Sequence, residues 1–157
     1  MAVLNILKEG DETLRKKCRP VDKITPRIIQ LLDDMHETLE IAQGVGLAAP
    51  QVGVLRRVVI VEIGDKKYEM INPEIIETKG KQEEIEACLS VPEKYGLVKR
   101  PAWVKVRATD RNGNVYEVSG EGLMARCFCH ELDHLDGTLY IDRAIEMYDA
   151  DDVEDEE

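Results

Sequence analysis

Trp103 to Gly137 reads WVKVRATDRNGNVYEVSGEGLMARCFCHELDHLDG, and this stretch decides the fold class. Residues 103–110 alternate apolar and polar side chains, as in a strand with one face buried. The chain turns at Asn112-Gly113, a pair suited to the positive φ of a tight hairpin, and returns as NVYEVSG. The period then changes to that of a helix, with Ser119 as the expected N-cap and Gly137 as the stop. A hairpin that runs straight into a helix, without strand–helix–strand alternation, predicts an α+β domain.

Upstream segments agree. Thr25 and Pro26 open a second helical pattern carrying Ile28, Leu31, Leu32, Met35, Leu39 and Ala42, expected to end at Gly44 after about five turns. VVIVEI at 58–63 and KYEMI at 67–71, joined through Gly64 and Asp65, predict another hairpin closing at Asn72-Pro73. The expected architecture is antiparallel sheets packed around a central helix, the one between Ser119 and Gly137, with an amphipathic helix nearer the N-terminus.

With 157 residues, 43% of them hydrophobic and 34% charged, the chain can bury a core without disulfides. No apolar run approaches the roughly 18 residues of a membrane span. The N-terminus lacks the cleavage pattern of a secretory signal, so a cytoplasmic location is expected and Cys18, Cys88, Cys127 and Cys129 should be free thiols or metal ligands. The net charge of −11 is concentrated at the end: Glu146 to Glu157 holds eight acids and no Lys or Arg. Residues 1–145 are therefore expected as one domain, with 146–157 as an acidic, disordered tail. No nucleic-acid-binding motif is present, no membrane is implied, and an acidic tail is a poor RNA anchor.

The chemistry sits in His130-Glu131-Leu132-Asp133-His134. Residues four apart stack on one helical face, so His130 and His134 can share a metal ion, and Glu131 can reach an activated water as general base. The remaining histidine, His36, reads as a helix-surface residue. A catalytic metal needs a third protein ligand. Cys127 lies on the same helical face; Cys88, in the turn-like Glu86-Ala87-Cys88-Leu89-Ser90 segment, could approach from another element. Spacing leaves both open. Gly44-Val45-Gly46-Leu47-Ala48-Ala49-Pro50-Gln51 brings backbone close to something and offers one amide donor, but lacks the lysine of a phosphate loop.

Together the segments 44–51, 86–90 and 130–134 resemble the signatures of the peptide deformylase family, in the family's order, and the similarity extends from ILKEGDETLRKK to LYIDRA. Ala87 stands where the family usually has Gly, and Cys129 where it usually has Gln. The resemblance implies Cys88 as third ligand with His130 and His134, and ferrous iron as the metal, with zinc, nickel or cobalt able to substitute. It implies hydrolysis of N-formylmethionyl peptides and nascent chains, and makes a ribosome partner conceivable. Glu131 would move the proton, while the Gln51 amide and the Leu89 N–H would receive the oxyanion. The Gly44 to Gly46 backbone would pair with the peptide, and Val45, Leu123 and Cys127 are candidates for the methionine pocket. Two alternatives bear on the same motif. A zinc endopeptidase would need a downstream ligand that residues 135–140 lack. A metal-binding structural or regulatory module would close its coordination sphere with Cys127 or Cys129.

Overall fold

In the computed structural model, which describes residues 2–150, β2 (Val58–Ile63) is the strand around which both helices are organised. Its four leading residues are all fully buried, and the two-residue period divides them. Val59 and Val61 face α2 (Leu123–Leu135), where they meet Ala125, Phe128 and Leu132. Val58 and Ile60 face α1 (Pro26–Ala42) and pack with Leu32, Met35 and Leu39. The uninterrupted VVIV run is thus a strand covered on both faces, which is why it shows no alternation.

β2 belongs to a five-stranded antiparallel sheet of order β1-β2-β3-β6-β7, with β1 at Gly46–Ala48, β3 at Lys66–Lys79, β6 at Trp103–Thr109 and β7 at Val115–Glu121. A second sheet, β4-β5-β8, comprises Gln82–Cys88, Val91–Arg100 and Glu146–Asp149. The α+β class and the two expected hairpins of the first sheet are present.

Several expectations change. The strand expected to close at Asn72-Pro73 continues to Lys79 through a bulge between Ile71 and Glu74. Asn72 takes a positive φ of 52° there, and its side chain bonds both the N–H and the C=O of Val21 at 2.8 Å. Pro73, which has no N–H to give, falls where the ladder is already broken. Ser119 is not a helix cap: it pairs with Lys105 inside β7, and the chain turns into α2 at Gly122, with φ 58°. The first helix ends at Ala42, with Gln43 rather than Gly44 in the left-handed conformation. Glu146–Asp149, expected as the start of the tail, instead pairs with Leu97–Lys94 on the edge of β5. Residues 151–157 of the expected tail lie outside the described residues. None of the helices described is long and apolar enough to cross a membrane.

Candidate metal centre

The end of β4 and the middle of α2 meet across a cleft of about 340 Å³. A register shift between Glu86 and Cys88 turns the strand so that the Cys88 thiol faces the helix. Its Sγ lies 3.5 Å from His134 Nε2, and one ligand atom from each of Cys88, His130 and His134 falls within 4.8 Å of the others. These three form the metal site, and the choice that spacing left open goes to Cys88. Cys127 turns elsewhere: its Sγ donates to the Val45 carbonyl at 3.7 Å, and burial pushes its thiol well above the ordinary range, so it stays protonated.

The donor set fits a borderline divalent metal. His134 is held neutral because burial pushes it well below the ordinary histidine value, and its Nδ1 has no partner among the described residues. His130 Nδ1 donates to Glu86 Oε1 at 2.9 Å, which directs Nε2 into the site. Glu86 in turn accepts two bonds from Arg100, Nε to Oε2 and Nη2 to Oε1, both 3.0 Å. Burial alone would raise Glu86, but the bonds from His130 and Arg100 hold it at about 2. Arg100 also reaches Asp133 at 2.7 Å, and Arg143 grips the same carboxylate from outside. Asp133 is thus the link from the motif helix to a buried chain of ion pairs.

Glu131 is buried beside the three ligands, and burial raises its carboxyl to about 7. One of its oxygens has no partner among the described residues, and the other lies against Gly46, where a Cβ would come within 2.5 Å. Gln51 is also buried: Oε1 accepts from Ala48 N at 2.9 Å, while Nε2 donates to Ser90 Oγ at 3.0 Å and lies 3.7 Å from Cys88 Sγ. Its carbonyl ties it to its own loop, so the amide group is aimed at the Cys88 turn.

The remaining expected residues share the cleft. Gly44, Val45, Gly46, Leu89, Leu123 and Cys127 all line it. The 44–53 segment is not a plain loop: Gly46–Ala48 forms β1, one of the two edge strands of the first sheet. Val45 and Leu123 are 43% and 46% exposed, so Leu123 belongs to the cleft mouth and not to the apolar face of α2. Cys129 is packed in the core, away from the ligands, and burial raises its thiol to about 11. His36 is no plain surface residue; it is half-buried between Glu69, 2.8 Å from Nε2, and Glu62, 3.4 Å from Nδ1.

Sequence reasoning assigned no role to Glu86, Arg100, Asp133, Arg143 or Arg126. Glu86 and Asp133 stand inside the quoted motifs, which was the available signal. Arg126 lines the cleft, with its Nε buried and unpartnered among the described residues.

Comparison with known proteins agrees with this geometry. A family model, Polypeptide deformylase, matches residues 3–150. The peptide deformylase of Agathobacter rectalis is 55% identical over 143 residues, covering 91% of this chain and 90% of that protein. That of Caldanaerobacter subterraneus is 51% identical over 154 residues, covering 98% and 97%. Among solved structures, the Thermotoga maritima peptide deformylase superposes with a TM-score of 0.89 at 39% identity, covering 92% of this chain and 99% of that one. The Cys88, His130 and His134 centre therefore sits in a chain that belongs to the polypeptide deformylase family.

Proposed function

We propose that this chain hydrolyses the formyl group from the N-terminal formylmethionine of newly made peptides, releasing formate. The observation that carries the reading is the convergence of two imidazoles and one thiol beside a buried carboxyl, raised by burial to about 7, at an open cleft. A divalent metal held by Cys88, His130 and His134 supplies Lewis acidity and lowers the pKa of water; ferrous iron is the expected ion, with zinc, nickel or cobalt as substitutes.

Glu131 accepts the proton of the attacking water and delivers it to the departing amine, a task suited to a carboxyl near neutrality. The second hydrogen of the Gln51 amide and the Leu89 N–H donate to the developing oxyanion, where preplaced donors act most strongly. The sheet edge at Gly44–Gly46 accepts an extended peptide as an added strand, which reads backbone and tolerates varied sequence. Val45, Leu123 and Cys127 receive the methionine side chain. A non-catalytic metal module is disfavoured because the Cys127 thiol is already engaged with the Val45 carbonyl and Cys129 is packed in the core, so neither is placed as a fourth ligand to close the sphere. The reading places the protein in the cytoplasm, acting on nascent chains.

The test is formate release from a formyl-Met-Ala peptide by anaerobically purified protein, alongside Cys88→Ala, with metal analysis of both. Wild type should release formate and the variant should lose metal and turnover together. A metal-loaded wild type that releases no formate would sink the proposal.

A further inference from the structure

Six of the ten arginines hold an acidic partner: Arg15, Arg57, Arg100, Arg107, Arg111 and Arg143. The four without one among the described residues are Arg19, Arg27, Arg56 and Arg126. Acids are abundant in a chain of net charge −11, so an unpaired guanidinium here does not reflect a shortage of carboxylates. Arg126 lines the catalytic cleft, but the other three line one separate groove of about 1070 Å³, together with Lys23, which also has no acidic partner among the described residues.

The fold holds these charges together. Arg19 and Arg56 are joined by an isolated parallel bridge, in which Arg19 N donates to Leu55 O and Arg57 N to Arg19 O. Arg57, the next residue, turns to Asp136 instead. Lys23 and Arg27 flank the start of α1, whose first turn contains no acid. Asp22 and Asp34 also line the groove, but Asp34 Oδ1 is engaged by Gln30 Nε2 and the Ala2 N–H. Lys16 and Lys17 extend the basic run from the same segment.

We propose that this groove docks the phosphodiester backbone of RNA, with Arg19, Lys23, Arg27 and Arg56 as its phosphate-binding residues. Guanidinium forks match phosphate oxygens two at a time, and clustered cations gain free energy by releasing the counterions of a polyanion. The choice of RNA over other polyanions rests on the function proposed above, because a formylated nascent chain is presented by an RNA-built machine. Residues 44–46 and 51 line the cleft and 52–56 line the groove, so the two surfaces are successive parts of one segment. Docking at the groove would hold the cleft at a set distance from the anchor.

The experiment is fluorescence anisotropy of a labelled 20-nucleotide single-stranded RNA against the full chain at several salt concentrations. It compares wild type with the combined Arg19→Gln, Arg27→Gln and Arg56→Gln variant. Wild type should bind at low salt, and the variant should bind at least about tenfold more weakly, with a salt slope shallower by about 2 because each lost phosphate contact removes about 0.7. Thermal unfolding and formate release from a free formyl peptide should match wild type, which shows that the variant folds. Absence of RNA binding at low salt overturns the proposal, as does equal binding by the variant. Tighter binding of polyglutamate or of anionic lipid vesicles than of RNA overturns it too. RNA binding without formate release would leave the docking surface standing and remove the hydrolase reading.

Discussion

Gly46 and Glu131 touch so closely that a methyl group on the glycine would lie 2.5 Å from a carboxylate oxygen. The same methyl would sit 2.9 Å from Cys127 Sγ. Gly46 is held in β1 by its pairing with Val61, and Glu131 by a helix packed on the sheet, so neither backbone can retreat cheaply. Gly46→Ala should therefore push the Glu131 carboxyl aside and lower kcat by about 10²-fold, the loss typical of a misplaced catalytic group. Metal content should stay at the wild-type level. Unchanged turnover would show that Glu131 position is not limiting.

Glu86 fixes the ring of His130 and is itself neutralised by Arg100. Glu86→Gln keeps the shape but weakens the acceptor, and should reduce metal affinity by about 10–100-fold. Competition with a chelator, measured by metal-dependent absorbance, reports this directly. Arg100→Met leaves Glu86 without its cation in the interior, while Asp133 keeps Arg143, so it should cost about 3–5 kcal/mol of stability by denaturant titration. A metal affinity unaltered by Glu86→Gln would remove Glu86 from the centre.

His36, Glu69 and Arg111 predict how stability varies with pH. Burial alone would raise Glu69, but the bonds from Arg111 and His36 hold it at about 2 against an ordinary 4.5. Its contribution is therefore complete above pH 4.5 and is lost as pH falls toward 2. Chiefly through its bond to Glu69, His36 is raised above 6.5, so its contribution is complete below 6.5 and disappears as pH climbs through the raised value. The cluster stabilises most between these limits. His36→Gln should cost about 1–2 kcal/mol there, lowering Tm by about 2–4 °C per kcal/mol, and the gap from wild type should narrow toward pH 9. A gap that widens with rising pH would contradict the assignment.

Removing residues 151–157 should leave formate release from a peptide nearly unchanged, because the cleft lining among the described residues lies between positions 43 and 131. Cutting after Ile145 is different. It strips β8 from β5 and uncovers Gly96, whose site for a Cβ lies 2.8 Å from Met147 Sδ and 2.9 Å from Tyr140. The longer truncation should lower Tm by several degrees in a thermal melt. Equal Tm values for the two truncations would show that the edge strand adds nothing.

Much of this protein is legible along the chain. The spacing of His130 and His134, the apolar face of α1 and the hairpin at Asn112-Gly113 are local patterns, and all three appear in place. The turn, however, is a five-residue loop, 110–114, in which Gly113 takes the positive φ and Asn112 does not. Local signals also misled. Asn72-Pro73 looks like an end because proline breaks a ladder, yet the bulge accommodates it, and Ser119 looks like a cap although pairing with Lys105 keeps it in a strand. The acids at 146 and 149 suggest solvation, yet backbone pairing to β5 needs only alternate side chains to face water.

By itself the sequence determined the α+β class, the two-histidine motif with its adjacent acid, and, through the three ordered signatures, the family. These depend on residues near one another in the chain, where helix and strand geometry is enough. Only the tertiary structure decided among distant partners: Cys88 over Cys127, Glu86 behind His130, Gly46 against Glu131, and three arginines in one groove. Such contacts join residues tens of positions apart, and the burial that moves Glu131 to about 7 exists only once they have closed around it. The physical reason is that periodicity specifies which face of an element is apolar, while packing alone specifies which other element comes to meet it.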